Sequence, residues 1–504
     1  MQDSSTSTAH KPIKKVVVAG GGTAGWMAAA LLQKVLHKEV EIELVESEDI
    51  GIVGVGEATI PPIQTFNQFL GVDEKEFLRE TNGTIKLAIK FDNWKKQGDS
   101  YFHTFGAPGA NLGFCNFQHY WLRAHHQGLT QSLWDFDINY LCCKSEVFNK
   151  INTQNPVYEV PYAYHFDSAL YGRYLRKRAE KGGVKRTEGI IEHIQTDNET
   201  GYIQSLQLSN GTQIQGDLFI DCTGTRALLI QQTLGVEYED WSNLLPANTA
   251  LAVQTERFDK TLPYTRSIAH KAGWQWRIPL THRNGNGIVF CSDYLSDEEA
   301  EQTLLGNLAS APVNDLRKIS FKTGRTQKQW HKNVIAVGLS SGFLEPLEST
   351  SIHLIQSAIV RLLKLFPHQG IKQSAIDLYN EESKVEYETI RDFIVLHYVV
   401  NERDDSDFWH DMRALKLPHR LQQKIDVFKE VGTIFNDQHD IFRDASWLQV
   451  MMGQGIMPQD YHPAANVLPE QQLMDTMAKI ATAKQQPMTQ MLPHDEFIKK
   501  YVGV

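Results

Sequence analysis

The chain opens with apolar and amphipathic stretches whose order predicts a mixed α/β fold. Residues 14–19 form an apolar run typical of a short buried strand, and a glycine cluster follows them. Residues 24–36 have the apolar pattern of a buried helix, and residues 40–45 predict a second strand. Strand, helix and strand in this order make a βαβ unit, so a parallel sheet is expected to start here.

A later segment, residues 84–91, alternates strictly and predicts one half-buried strand. Its apolar face holds Ile85, Leu87, Ile89 and Phe91, and the opposite face holds Lys86, Ala88 and Lys90. On this pattern alone, Lys86 is an exposed lysine on the polar face of a strand.

Asparagine–glycine pairs predict tight turns within β-rich regions, at Asn210-Gly211, Asn284-Gly285 and Asn286-Gly287. Residues 333–337 predict another short strand, which leads through a Gly/Ser loop into a helix over residues 351–366. From residue 371 onward the pattern is mostly helical. One helical face there is apolar and is formed by Ile390, Phe393, Ile394, His397 and Tyr398.

Composition and charge narrow the class of protein. The 504 residues, with 41% hydrophobic and 22% charged side chains, are those of an ordinary globular protein with a large core. A net charge of −10 without a basic stripe argues against nucleic acid as a partner. The five cysteines predict no disulfide framework, and no zinc spacing is present, so no metal is expected. The chain has no run of eighteen apolar residues and a polar first segment, which predicts no membrane span, no secretory signal and a cytoplasmic location.

The glycine cluster has the spacing of a dinucleotide-binding turn. Gly20, Gly22 and Gly25 form G-x-G-x-x-G between the first strand and the first helix, and the second strand ends in Glu46. The first glycine allows the tight turn, the second lets the backbone approach a pyrophosphate, and the third lets helix and sheet pack closely. A carboxylate at position 46 suits a ribose without a 2′-phosphate.

Two distant segments favour a flavin over a nicotinamide. Residues 217–229 and residues 333–343 each read as a strand that enters a Gly loop, as in folds whose returning strands close over an extended FAD. A nicotinamide dehydrogenase needs only the first glycine motif. Each segment taken alone is also compatible with an ordinary strand end.

The segment AGWQWRIPL, residues 272–280, places Trp274 and Trp276 on one side of a strand. By chemistry alone this is a pair of packed aromatic rings. By pattern, W-x-W-x-I-P resembles the signature of the flavin-dependent halogenases. Further motifs are similar to that family in the same order: GGGTAGW at 20–26, GVGEATIPP at 54–62, FHTFG at 102–106, YHFDSALYGRYLR at 164–176, FLEPLESTSIHLIQSA at 343–358 and HYVVNERDDSDFW at 397–409.

The resemblance implies a Rossmann-type FAD-binding fold of the flavoprotein monooxygenase kind, with an inserted β-sheet layer and a helical C-terminal lobe. The pattern along the chain predicts a disordered tail at residues 1–13, a cofactor and catalytic core with an inserted β-sheet substrate region at 14–370, and the lobe at 371–504. The residues expected to bind FAD are Gly20, Gly22, Thr23, Ala24, Gly25, Glu46, Glu57, Ala58, Gly338 and Leu339.

The resemblance also implies the chemistry. Reduced FAD and oxygen turn a bound chloride or bromide into hypohalous acid, which passes to the family's essential lysine, here Lys86. The family's functional glutamate matches Glu348, and the halide is expected near the backbone of Thr350 and Ser351. By itself, Glu348 could instead be a carboxylate serving a helix N-terminus.

Four aromatic side chains are expected to bind or fence off an indole-type substrate: His103, Phe105, Trp274 and Trp276. Without the resemblance, His103 and His397 are expected to be structural histidines bonded to the backbone. The stretch at residues 435–458 lacks the paired tyrosines with which relatives clamp free tryptophan. A bare indole or a larger indole compound is therefore the expected substrate.

Other functions stay open on the sequence. A flavin-dependent aromatic monooxygenase that hydroxylates its substrate is the main alternative, and a non-catalytic flavin-binding relative and a halogenase for carrier-bound substrates are the others. No nicotinamide site is visible, so FAD is expected to be reduced by a separate flavin reductase and to arrive by diffusion. A homodimer is a further expectation.

Overall fold

The computed structural model describes residues 12–50, 56–437 and 440–503. Most of the predicted tail, residues 1–11, lies outside the described residues. Ile13, at the end of that predicted tail, is buried.

A six-stranded sheet carries the predicted βαβ unit. Its strand order is Trp330–His331, Val334–Ala336, Leu218–Asp221, Lys15–Ala19, Glu41–Glu46 and Lys185–Glu188. Neighbouring strands are parallel except for the first pair, which is antiparallel. The run of apolar residues in Lys15–Ala19 is buried on both faces, as expected for a central parallel strand.

A seven-stranded sheet forms the second layer. Its order is Arg317–Ser320, Thr249–Glu256, Arg283–Phe290, Gly273–Pro279, Tyr264–His270, Ala88–Asp92 and Ser100–Thr104. Only the pairing of Tyr264–His270 with Ala88–Asp92 is parallel. The two sheets together confirm the mixed α/β fold with an inserted β-sheet layer.

Smaller sheets join these layers. Three have three strands each and one has two: Gly56–Ala58, Ala163–Asp167 and Thr84–Lys86; Ile191–Thr196, Ile203–Leu208 and Gln213–Gln215; Tyr238–Asp240, Gly324–Thr326 and Gly342–Phe343; Leu492–Pro493 and Val147–Phe148. The turn predicted at Asn210-Gly211 is confirmed, since it joins two antiparallel strands of the second of these sheets.

The α-helices are, in chain order, Thr23–Leu36, Pro62–Phe69, Glu74–Glu80, Phe117–His126, Ile138–Ser145, Ser168–Lys181, Asp297–Gly306, Ser351–Lys364, Gln373–Val399, Asp407–Arg413, His419–Val431, Asp444–Gly453, Glu470–Gln485 and His494–Ile498. The apolar face predicted around residues 390–398 is confirmed, because all five of its side chains are buried in Gln373–Val399. The domain division at residue 370 stays a prediction. Across the described residues, no helix combines the length and the apolar character that a membrane crossing requires.

The prediction of one alternating strand at residues 84–91 is wrong. The chain forms two strands, Thr84–Lys86 and Ala88–Asp92, which belong to different sheets. Leu87 separates them, and its N–H donates to the carbonyl of Pro263. Both faces of this segment are covered, so Lys86 is fully buried instead of exposed.

The two turns predicted between residues 284 and 287 are also wrong. These residues lie inside the buried strand Arg283–Phe290. The Asn286 amide donates a hydrogen bond to Thr255 Oγ1 at 3.0 Å, so this polar side chain is accommodated within the sheet. The alternating asparagines and glycines at residues 284–287 therefore pack within a strand and do not form a turn.

Candidate active site

A cavity of about 940 Å³ lies along the carboxyl ends of the parallel strands. Nine predicted cofactor residues line it: Gly20, Gly22, Thr23, Ala24, Glu46, Glu57, Ala58, Gly338 and Leu339. Gly25 lies beneath the cavity, where a Cβ atom would stand 1.9 Å from the Gly20 carbonyl oxygen. The third glycine therefore permits the close packing expected of this motif.

The other two glycines serve different purposes: Gly20 allows a close approach of two backbone segments, and Gly22 leaves open space. Gly20 has a φ of +109°, and a Cβ atom there would meet the Cys222 carbonyl oxygen at 2.3 Å. Gly22 lies at the N-terminus of Thr23–Leu36, and a Cβ atom there would meet nothing within 4 Å. An open space over a helix N-terminus fits the pyrophosphate of a dinucleotide.

Glu46 lies at the end of its strand, as predicted for a ribose-binding carboxylate. Its side chain accepts a hydrogen bond from Trp26 Nε1 at 3.3 Å and forms ion pairs with Arg186 at 2.5 Å and Arg176 at 3.3 Å. These contacts hold the carboxylate at the wall of the cavity. Glu57 also lines the cavity, and burial together with the nearby charge of Asp167 raises its pKa to about 7.

The two returning strands end at the same cavity. Leu218–Asp221 and Val334–Ala336 are parallel neighbours in the sheet, and both lead into loops that line the cavity. Gly338 has a φ of +77°, and a Cβ atom there would lie 2.8 Å from Ala24 Cβ. The cavity thus extends across several strand ends, as an extended dinucleotide requires.

Trp274 and Trp276 form part of the cavity wall. Their ring centroids are 6.2 Å apart at an angle of 61°, and both lie on one face of Gly273–Pro279. Trp274 Nε1 donates to Glu345 Oε2 at 2.9 Å, and Tyr398 donates to the same oxygen at 2.8 Å. Burial raises the pKa of Glu345 to about 7, against the lowering effect of these two hydrogen bonds.

Lys86 is fully buried, and both of its hydrogen bonds go to neutral oxygen atoms. Its Nζ donates to Ser349 Oγ at 2.7 Å and to the Thr59 carbonyl at 3.1 Å, and lies 5.2 Å from the centre of the Phe105 ring. Burial lowers the pKa of Lys86 to about 7, although the charge of Glu348 acts in the opposite direction. The amine and the ammonium are therefore both accessible near neutral pH.

Glu348 is held by two histidines. Its carboxylate lies 2.9 Å from His103 Nδ1 and 2.8 Å from His397 Nε2. Burial raises the pKa of Glu348, but the charges and hydrogen bonds of His103 and His397 outweigh it and bring the pKa to about 2. The expectation that these histidines are bonded to the backbone is confirmed for His397, whose Nδ1 lies 2.8 Å from the Phe393 carbonyl oxygen, although its other nitrogen contacts Glu348. His103 contacts the Glu348 carboxylate instead.

The segment between Glu348 and the next helix is strained. Ser349 has a φ of +59°, in the left-handed region that non-glycine residues rarely adopt. This conformation places its hydroxyl on Lys86. Thr350 precedes the helix Ser351–Lys364, and its Oγ1 is buried with no hydrogen-bond partner among the described residues. Ser351 lines the cofactor cavity.

Sequence reasoning does not predict the contacts of Ser349 with Lys86 or of His397 with Glu348. Ser349 lies inside the EPLEST motif, and the sequence alone indicates only a structural role for His397. The signal for both was their place inside matched motifs. Among the described residues, no group of three or more His, Cys, Asp or Glu side chains is arranged to hold a metal ion.

The cavity, the two indoles on its wall and the buried lysine bonded beside a buried glutamate are the features that the sequence motifs predict. Residues 15–470 match the model of the tryptophan halogenase family, and the chain belongs to that family. The predicted family, fold class and enzyme class are therefore confirmed. Flavin-dependent halogenases use FAD, which the lining of the cavity fits.

Known proteins are similar to this chain over almost its whole length. A tryptophan 7-halogenase of Lentzea aerocolonigenes is 32% identical and covers 97% of this chain and 99% of its own. A solved flavin-dependent halogenase from Xanthomonas campestris is 44% identical, with a TM-score of 0.95 and coverage of 97% and 99%. Another from a Brevundimonas species is 38% identical, with a TM-score of 0.94 and the same coverage.

Proposed function

We propose that this enzyme takes reduced FAD, oxygen and chloride or bromide and halogenates an electron-rich aromatic ring of the indole type. One observation carries the proposal: Lys86 is fully buried, its pKa is lowered to about 7, and its Nζ is bonded to the residue next to Glu348. A structural lysine gains nothing from such burial, because desolvation of an ammonium is costly.

The cavity described above holds the cofactor. When bound, reduced FAD supplies two electrons and, with oxygen and a proton, converts the halide into hypohalous acid and water. Gly20 allows the tight turn after the first strand, Gly22 leaves space for the pyrophosphate, and Glu46 accepts hydrogen bonds from the ribose. Trp274 and Trp276 keep the organic substrate on the far side of the wall.

The halide is held at the start of the helix Ser351–Lys364. Backbone N–H groups at a helix N-terminus and the positive end of its dipole favour an anion there. Thr350 Oγ1, buried and without a partner among the described residues, can donate its hydrogen to the halide. Ser351 lines the cavity proposed to hold FAD, so a halide bound here would lie next to the cofactor that drives its oxidation.

Lys86 presents the oxidant to the substrate. As an ammonium, Nζ donates a hydrogen bond to the oxygen of hypohalous acid and polarises the bond between oxygen and halogen. As an amine, it takes the halogen, forms a haloamine and releases water. In both cases the ring carbon forms its bond to the halogen, and the oxygen of hypohalous acid ends in water.

Glu348 acts on the ring once the halogen is bound. The ring is then cationic, and a buried carboxylate with a low pKa stabilises that charge. Loss of the ring proton to this carboxylate restores the aromatic system and completes the substitution. His103 and Phe105, whose side chains contact Glu348 and Lys86 respectively, are the proposed partners of the indole ring.

The substrate is proposed to be an indole without a free amino-acid backbone. The segment that precedes Asp444–Gly453 turns an aromatic ring inward: Phe442 stacks on Phe393 with centroids 3.9 Å apart. Lys424 is already paired with Asp440 at 2.6 Å, so this buried cation is not free to bind a carboxylate. An apolar lining with its charges paired favours an uncharged ring.

A single reaction tests this function. The enzyme is incubated with FAD, a separate flavin reductase with NADH, oxygen, bromide and indole, and products are followed by mass spectrometry. A product with the isotope pattern of bromine is expected. A product that gains only oxygen and does not depend on bromide would show the enzyme to be a hydroxylase instead.

A further inference from the structure

One indole of the cavity wall is fixed by a buried carboxylate. Trp274 Nε1 donates to Glu345 Oε2 at 2.9 Å, and the Tyr398 hydroxyl donates to the same oxygen at 2.8 Å. Each of these three side chains is only 1% exposed. Bulk water therefore does not compete for these hydrogen bonds, and the acceptor that the indole N–H finds is supplied by the protein alone.

The other oxygen of Glu345 has no partner. Oε1 is buried and accepts no hydrogen bond from the described residues. Burial of a carboxyl group with an unsatisfied oxygen costs free energy, and an apolar side chain of similar size would fill the space without that cost. Packing therefore does not explain a glutamate here. Its contribution is the acceptor that it offers to Trp274 and Tyr398.

The same two segments of the chain also hold Glu348. Glu345 immediately precedes the short turn Pro346–Glu348, and Glu348 ends it. Their partners are neighbours too, because His397 contacts Glu348 and the next residue of the helix, Tyr398, contacts Glu345. One turn and one helix thus carry both the support of the wall indole and the support of the proposed base.

The second indole of the wall is supported in a different way. The ring of Trp276 packs over Gly287 of the neighbouring strand, whereas the N–H of Trp274 is bonded to the carboxylate of Glu345. Loss of that carboxylate should therefore loosen one ring and leave the other in place. Trp276 is an internal control for any change at Trp274.

We propose that Glu345 is a positioning residue that fixes the indole of Trp274 and so keeps the wall between cofactor and substrate closed. The proposal rests on the proposed function, which assigns this wall, and deepens it by naming what holds the wall in place. Without the acceptor, the buried N–H of Trp274 has no partner, which is unfavourable. The indole is then expected to turn toward another acceptor and to leave a gap.

A gap in the wall changes the products of oxygen reduction. In the productive reaction the two electrons of reduced FAD go to oxygen, and one oxygen atom ends in hypohalous acid and the other in water. If the halide is not oxidised, both oxygen atoms leave together as hydrogen peroxide, with the two hydrogens of reduced FAD. A closed site excludes water and suppresses such side reactions. An open wall should therefore yield more peroxide and less halogenated product.

Three substitutions separate positioning from stability. Glu345→Leu removes the acceptor and fills a similar volume. Glu345→Gln keeps an oxygen for both donors and is the conservative rescue. Tyr398→Phe removes the other hydrogen bond to the same carboxylate, but leaves the bond from Trp274 intact. A purely structural role of the cluster predicts similar effects for Glu345→Leu and Tyr398→Phe.

The first measurement uses the apoprotein and needs no turnover. In protein labelled with 5-fluorotryptophan, the ¹⁹F signals of the two wall indoles are assigned by their loss in Trp274→Phe and Trp276→Phe. The Trp274 signal should broaden in Glu345→Leu and stay narrow in Glu345→Gln and Tyr398→Phe, with Trp276 unchanged throughout. A Trp274 signal that is the same in Glu345→Leu as in the wild type overturns the inference, whatever the activity.

The second measurement is a single turnover with enzyme in excess over reduced FAD. Oxygen, bromide and indole are mixed in, and bromoindole and hydrogen peroxide are counted per FAD. For Glu345→Leu we expect about fivefold less bromoindole, a matching gain of peroxide and an FAD affinity within about threefold of the wild type. Glu345→Gln should restore most of the yield, and Tyr398→Phe should keep it. Equal losses in Glu345→Leu and Tyr398→Phe would overturn the inference.

The wild-type protein tests the contact if Glu345→Leu does not fold. The ¹H–¹⁵N signal of the Trp274 indole should move when Glu345→Gln exchanges the carboxyl acceptor for an amide oxygen, and the Trp276 signal should not. A Trp274 signal that does not respond overturns the inference. A wild-type enzyme that brominates no indole would instead refute the proposed function, while the signals of Trp274 still decide whether Glu345 holds this ring.

Discussion

The indole of Trp276 occupies the space that a side chain at Gly287 would need. The two residues are paired on adjacent strands, and a Cβ atom on Gly287 would lie 2.1 Å from Cζ2 and 2.2 Å from Cη2 of that indole. It would also lie 2.5 Å from the Leu251 carbonyl oxygen. Trp276 can therefore take its place in the cavity wall only because position 287, on the neighbouring strand, is a glycine.

Substitution Gly287→Ala should displace Trp276 and weaken FAD binding. The indole ring and the Leu251 backbone are both rigid, so neither can move aside as the tip of a flexible side chain could. We therefore expect the free energy of unfolding to fall by about 1–3 kcal/mol, as in other overpacked cores. Thermal unfolding and fluorescence titration with FAD measure the two effects. Gly306→Ala is the matched control, because a Cβ atom there would meet nothing within 4 Å. Equal FAD affinity and stability in both variants would contradict the assignment.

The same glycine shows where sequence reasoning stops. An Asn-Gly pair is a strong turn signal when only local conformation matters. Here the neighbouring strand carries a large ring that needs room, and that requirement is invisible from residues 284–287 alone. Local sequence signals predict the structure correctly where interactions between neighbouring residues determine the conformation. Examples are the βαβ unit, the Asn210-Gly211 turn and the long amphipathic helix.

Lys86 shows a different limit. Its alternating neighbours predicted an exposed position, because the pattern records which residues are apolar but not how many layers cover a strand. The motif resemblance singled out this residue, and the structure places it in the interior beside Ser349. The contacts of His397 with Glu348 could not be derived from spacing, since 49 positions separate them in the sequence.

Gly22→Val should reduce FAD affinity without unfolding the protein. A Cβ atom at this position would meet no protein atom within 4 Å, and the backbone has an extended conformation with φ of −69° and ψ of −177°. The Cβ atom of a valine therefore has room in the apoprotein, and the rest of the side chain is expected to project into the space assigned to the pyrophosphate. We expect a loss of affinity of at least tenfold, corresponding to about 1.4 kcal/mol, with an unchanged melting temperature of the apoprotein. Unchanged FAD affinity would place the pyrophosphate elsewhere.

Lys86→Met should abolish halogenation and leave FAD binding intact. Methionine fills a similar volume without an amine, so the oxidant can no longer be polarised or trapped, and a loss of about 100-fold or more in kcat is expected. Lys90→Met is the control, because Lys90 lies four residues away on the next strand and its Nζ pairs with Asp92 at 3.2 Å. Product formation with bromide and indole is compared for both. Normal halogenation by the Lys86 variant would show that its assigned role is wrong.

Two buried glutamates three residues apart should respond to pH with opposite signs. Burial raises the pKa of Glu345 from 4.5 to about 7. Between pH 4.5 and pH 7, Glu345 is therefore protonated in the native state and ionised in the unfolded state. Stability contributed by this site therefore falls as pH rises through that window. Glu345→Gln keeps an oxygen for Trp274 and Tyr398, so it should match the wild type near pH 5 and exceed its stability by roughly 3 kcal/mol at pH 8.

Glu348→Gln should behave in the opposite way. The histidines bring the pKa of Glu348 to about 2, so its stabilising effect is present above pH 4.5 and is lost as pH falls toward 2. Removing this buried carboxylate takes the charged partner away from His103 and His397, and a loss of about 3–5 kcal/mol is expected at neutral pH. Chemical denaturation at pH 5 and pH 8 measures the free energy of unfolding of both variants.

A Glu345→Gln protein that is less stable than the wild type at pH 8 would mean that Glu345 is ionised in the native state. Such ionisation is unfavourable, because Glu345 Oε1 is buried and has no hydrogen-bond partner among the described residues.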